Sequence, residues 1–181
     1  MPGRLSHRPP DLLICMDMQK EQLISRNGFA HSGLNERLMR CRETLAYWRA
    51  QQWPIVHLKL VAQAAWFNPA SQLTDWIDGW NPLPGEDVFE HALPSAYSSQ
   101  RFAEFMENLN GVTRRMLGFS LEEAILATAV DALHRDHDIR VVEEAVFCRE
   151  SSGVDDASYR RVLFSVIGNF SLVETVGGAR A

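Results

Sequence analysis

Short apolar stretches alternate with segments of helical spacing along most of this chain. Between Asp11 and Asp17 every residue is apolar, the pattern of a strand buried on both faces of a parallel sheet. Leu34, Leu38, Cys41, Leu45 and Trp48 then recur at helical spacing with charges between them, which predicts an amphipathic helix over 34–52. Pro54 opens a second apolar run, 55–60. Residues 88–91, 115–118, 139–142 and 171–173 read as further strands, and 98–108, 121–135 and 155–166 as helices. Such alternation predicts a parallel sheet with right-handed crossovers. Sites in these sheets lie beyond the carboxyl ends of strands, near a reversal of strand order. Asp17, His91 and the turn 118–124 all fall at predicted strand ends. The stretch 62–85 lacks periodicity, and a loop of that length usually serves a site or an interface. Its Trp66, Trp76 and Trp80 read as pocket wall, subunit contact or core packing.

A length of 181 residues fits one domain, and 46% apolar residues suffice for one sizeable core. The net charge of −5 is spread along the chain, which argues against nucleic acid as a partner, since phosphate binding needs a concentrated basic surface. The pairs Arg114-Arg115 and Arg160-Arg161 read as solvated faces or helix ends. No stretch approaches the roughly 20 apolar residues that cross a bilayer, so no membrane partner is expected. The first ten residues hold Arg4, His7 and Arg8, lack the apolar centre of a signal peptide, and read as a flexible segment. The expected location is the cytoplasm. Cys15, Cys41 and Cys148 have neither disulfide nor zinc spacing, and no cofactor or metal is expected.

Asp17 closes an apolar run, so burial should raise its pKa and suit it to general-base work; the alternative is a turn anchor. His91 titrates near neutrality and reads either as a solvated loop side chain or as a partner for Asp17. Ser120 could act as a nucleophile only beside a base, for which His91 is the candidate. Cys15, two positions before Asp17, should share its side of the strand, yet an apolar run marks a buried, inert thiol. Glu122 and Glu123 suit a helix amino terminus, with a weak case for Glu123 acting on water.

Three segments carry a family resemblance. Asp17-Met18-Gln19 after the first strand, Ser95-Ala96-Tyr97 in the middle, and the string from Gly118 through Ala124 to Thr128-Ala129-x-Asp131-Ala132 resemble the signatures of the isochorismatase-like family, also called cysteine hydrolases. The resemblance runs from about residue 11 to 175. It implies a three-layer α/β/α domain with a central, mostly parallel six-stranded sheet, a small-molecule substrate or ligand, and dimers or tetramers. It also implies that Asp17 is the family's catalytic acid, that His91 stands in the place of its lysine, and that Ala124 stands in the place of its nucleophilic cysteine. Gln19, Tyr97, Phe119 and Ser120, inside the matched segments, are the candidate substrate contacts. A methyl group cannot attack a carbonyl, which excludes the usual covalent route at Ala124. Two of three parts are thus replaced, and the expectation is a re-purposed small-molecule binder. The alternative is a hydrolase of a small amide, ester or vinyl ether using Asp17 and His91. The cysteine-free branch that cleaves a vinyl ether uses the lysine as well, and the nicotinamidase branch needs a histidine metal cluster that His57-Leu58-Lys59-Leu60 does not supply.

Overall fold

The computed structural model describes residues 11–24, 33–62, 66–149 and 153–179; the expected flexible segment 1–10 lies outside them. Six strands, β1 (Leu12–Met16), β2 (Ile55–Leu60), β3 (Asp87–His91), β4 (Arg114–Phe119), β5 (Ile139–Phe147) and β6 (Leu172–Glu174), form one sheet. Their spatial order is β3-β2-β1-β4-β5-β6, and every neighbouring pair is parallel. Chain order reverses between β1 and β4, so the crevice for a ligand lies beyond the ends of those two strands. The helices are α1 (Leu34–Gln51), α2 (Gln100–Glu107), α3 (Leu126–His134), α4 (Asp156–Ile167) and α5 (Val176–Ala179). None of the helices in the described residues is long and apolar enough to cross a membrane.

The alternation of β1 builds the layers. Leu12, Ile14 and Met16 pack with Phe102 and Met106 of α2 and with Ile125 and Ala132 at α3. Leu13 and Cys15 point the other way, into a cluster with Leu38, Leu45 and Trp48 of α1 and Val176 of α5. Each large apolar side chain so buried contributes roughly 2 kcal/mol relative to exposure. The result is the expected three-layer α/β/α arrangement, here with an entirely parallel sheet.

Two local features bring β4 to the crevice. Gly118 has φ +115°, and a Cβ there would lie 2.1 Å from the Met16 carbonyl oxygen, so only glycine lets β4 approach β1 this closely. The pairing of β4 with β5 jumps from Met116↔Val141 to Gly118↔Val146, a bulge that lengthens β5 well past the expected 139–142. Glu143 and Glu144 fall inside that bulge and interrupt the apolar run, which hid the continuation.

The arginine pair at the start of β4 corrects an expectation. Arg114 and Arg115 are buried instead of solvated. Arg115 pairs with Asp11 and Glu174, while Arg114 donates to the carbonyls of Met106, Leu109 and Val112. Charges this deep persist because Arg115 is paired with two carboxylates and two nitrogens of Arg114 are bonded to carbonyls at and beyond the end of α2, which leaves, among the described residues, Arg114 Nε alone without a partner on these two side chains.

Candidate active site

β1 ends because Asp17 turns into the left-handed region, φ 50°, which Asp tolerates better than most residues. Its side chain meets the end of β3. His91 Nε2 lies 2.7 Å from Asp17 Oδ1, and His91 Nδ1 lies 2.7 Å from the Leu93 carbonyl oxygen. Asp17 is 1% exposed and His91 3%. A carbonyl only accepts, so Nδ1 carries a proton and donates it. The Nε2–Oδ1 contact then needs one further proton, shared between imidazole and carboxylate.

Electrostatics keep that proton in place. Burial raises the Asp17 carboxyl above its usual range, with His91 opposing in part. Burial disfavours an imidazolium at His91, but the Asp17 charge and hydrogen bond, with help from the Leu93 carbonyl, outweigh it and lift the ring above 6.5. Both directions leave the pair holding one shared proton near neutrality, and the two groups titrate as a unit.

Asp17 and His91 open onto a cavity of about 420 Å³ whose wall also includes Ser120 and Ala124. Ala124 lies in a single π turn, Leu121–Ile125, that leads into α3. The structure thus brings positions 17, 91 and 124 around one cavity, with a methyl group at the third. The Phe119–Ser120 peptide is cis, and the Ser120 carbonyl accepts from the backbone of Glu123 and Ile125. Both ring nitrogens of His91 are bonded, to Asp17 and to the Leu93 carbonyl, and among the described residues no hydrogen bond joins Ser120 to His91.

The other candidate contacts fall elsewhere, each for a physical reason. Gln19 donates to the carbonyls of Leu60 (3.0 Å) and Thr74 (3.2 Å) and accepts from the Leu60 amide (2.9 Å). Its amide is spent on tying the end of β2 to the long loop. Phe119 packs in the α1 layer, stacked on Phe147 at 4.0 Å. The Tyr97 hydroxyl sits 2.7 Å from His137 Nδ1 beneath α2. None of the three lines the cavity. Cys15 also misses it: the left-handed turn at Asp17 breaks the strand alternation, and the thiol stays in the α1 layer with its pKa pushed up by burial.

Sequence reasoning passed over Gln22 and Arg149 and left Trp66 open; all three line the cavity with Phe67. The Arg149 guanidinium lies 2.8 Å from Glu123, another wall residue. Of the remaining tryptophans, Trp80 is core and Trp76 packs edge-on to His57. For Gln22 the one available signal was its place five residues after the acid that ends β1, since a buried glutamine in a turn has no periodicity to betray it.

Comparison with known proteins agrees with this fold. The secreted isochorismatase effector Isc1 of Verticillium dahliae is 28% identical over 127 residues, covering 69% of this chain and 67% of that protein. An isochorismatase from Pseudomonas putida superposes with a TM-score of 0.85 at 24% identity, covering 93% of this chain and 89% of the other. A cysteine hydrolase from Pseudomonas syringae superposes with a TM-score of 0.79 at 14% identity, covering 94% and 91%. The model of the isochorismatase domain matches residues 11–168, and by that match across most of its length the chain belongs to the isochorismatase domain family.

Proposed function

We propose that this protein takes a small molecule into the cavity over Asp17 and His91 and hydrolyses it by proton transfer, without a covalent intermediate. The observation that carries this reading is the 2.7 Å Asp17–His91 contact, with the far ring nitrogen fixed on the Leu93 carbonyl. The pair holds one mobile proton. Passing it to a leaving oxygen or nitrogen leaves an Asp17 carboxylate and a neutral imidazole, which can then take a proton from the attacking water. Acid and base duties alternate and the cycle closes on the starting state. Among the described residues His91 is the side chain bonded to Asp17, whose carboxyl also meets the Leu60 backbone amide, and the carboxyl oxygen turned from His91 is the exit for the proton. Ala124 offers nothing for covalent attack, so water adds directly.

A second reading, a binder without turnover, is favoured by that same Ala124 and by the near-complete burial of the pair. A panel of small amides and esters together with isochorismate separates the two. Asp17→Asn is expected to reduce turnover by roughly 10²–10⁴-fold. No turnover by the wild type, combined with a ligand-induced rise in melting temperature, would favour the binder. A covalent adduct found by mass spectrometry of quenched enzyme would overturn the non-covalent route.

A further inference from the structure

We infer that Glu123, by holding Arg149 in an ion pair on the cavity wall, makes the site select an uncharged ligand over a carboxylate. This rests on the cavity being the functional site and names the class of molecule it takes. Glu123 sits in the π turn Leu121–Ile125, directly before Ala124, and Arg149 follows the end of β5. Both line the cavity, and neither is shut away from solvent, their side chains being 47% and 42% exposed. Arg149 Nη1 lies 2.8 Å from Glu123 Oε2 and 3.6 Å from Glu122 Oε1, and the backbone amide of Arg149 donates to that same Glu122 oxygen at 3.2 Å. One guanidinium thus faces two carboxylates and is anchored beside them. Glu123 is also felt at the reacting pair, where its charge favours the proton on Asp17.

The charges around the cavity leave a carboxylate without a counter-ion of its own. Asp17 and His91 hold one shared proton and are neutral together. Glu123 and Arg149 cancel, and every other lining residue among those described is uncharged. An entering carboxylate would have to compete with Glu123 for Arg149, and the displaced Glu123 would stand beside it as a like charge. Taking an anion out of water without a partner is costly. A neutral molecule meets none of this, and Leu60, Trp66, Phe67, Leu93 and Pro94 suit its apolar body. Uncharged amides and esters are therefore the preferred class. Isochorismate, which carries two carboxylates at neutral pH, is disfavoured.

Benzamide and benzoate, matched in shape and opposed in charge, test this directly. Each is titrated at neutral pH into protein labelled with ¹⁵N at histidine, so that the His91 ring nitrogens report occupation of the cavity. The wild type is expected to bind benzamide about tenfold tighter than benzoate. Glu123→Gln releases Arg149 from its nearest carboxylate, so benzoate should tighten about tenfold while benzamide changes by less than about twofold. Arg149→Gln leaves Glu123 unopposed and should weaken benzoate further. Opposite movements of one fragment while the other holds cannot come from a general loosening of the wall. Benzoate binding the wild type as tightly as benzamide, or a ratio that Glu123→Gln does not move, would overturn the selection by Glu123 and leave the cavity reading intact. Fragments that leave His91 unmoved in every protein would overturn the cavity reading itself, and the selection with it.

Discussion

Two buried histidines stand on adjacent strands of this sheet, each within 2.8 Å of a carboxylate, and they are chemically opposite. His57 of β2 meets Glu86, whose oxygens also accept from both the Nε and Nη2 of Arg49 and from the Leu83 amide. Burial pushes the Glu86 carboxyl up, but those donors overcome it and hold the group at about 2. His57 loses the contest: burial lowers its pKa, Arg49 adds to the effect, and Glu86 restores only part. The ring is neutral, donates from Nε2, and leaves a buried, unpartnered Nδ1. Asp17 has no guanidinium, so His91 is its principal partner and the pair retains a mobile proton. Distance to a carboxylate does not distinguish the two histidines. The number of donors that the carboxylate already has does, and so does access to a cavity, which is lined by His91 and not by His57.

The largest difference should appear in stability. Glu86→Gln strips Arg49 and His57 of their shared anion at a mostly buried position and is expected to cost about 2 kcal/mol in denaturant melts, with part of the ion-pair value discounted because Arg49 is partly exposed. Asp17→Asn should do the reverse, abolishing proton chemistry while shifting stability by less than about 1 kcal/mol, since sites tuned for function are seldom optimal for folding. Equal destabilisation by the two substitutions would erase the distinction between a structural and a functional pair.

Dependence on pH gives a smaller effect with opposite signs. A group whose folded pKa is raised contributes stability below its unfolded value and loses it as pH rises through the folded value. His91 is such a group, so its contribution is present below 6.5 and fades at higher pH. His57 is lowered, so its contribution is present above 6.5 and fades as pH falls. Glu86 adds an acid limb, complete above 4.5 and lost as pH approaches about 2. Melting temperature followed across pH should therefore lose its alkaline decline in His91→Gln and part of its acid decline in His57→Gln. Identical profiles for the two variants would contradict the assigned protonation states.

Much of this architecture was legible because strands buried on both faces leave unbroken apolar runs, as from Leu12 to Met16. Positions 17, 91 and 124 were legible because they end strands or open a helix, where topology gathers residues into one crevice. Side-chain direction was not. Phe119 and Ser120 are neighbours in sequence, yet one packs into the α1 layer and the other walls the cavity. The burial of Arg115 depended on Asp11 and Glu174, remote carboxylates that no local pattern reveals.

The smallest perturbation places a reporter on the His91 side. Ala124→Cys adds one sulfur where the core cluster meets the cavity wall and should change stability by under about 1 kcal/mol if the sulfur turns into the cavity. Its thiol is expected to meet a small alkylating reagent that enters the cavity. The three native thiols are not comparable. Cys15 pairs in register with His57 and burial pushes its pKa up. Cys41 donates to the Ala145 carbonyl and is fully buried. Cys148 is half-buried, and burial raises its pKa despite the neighbouring Arg160. Since reaction requires an accessible thiolate, native Ala124→Cys protein treated briefly with iodoacetamide should carry the label at position 124 ahead of any wild-type cysteine, as read by peptide mass spectrometry. Labelling of Cys15 first would mean that the sheet opens beside His57 and not beside His91, and the assignment of structural and functional roles to the two histidines would have to be exchanged.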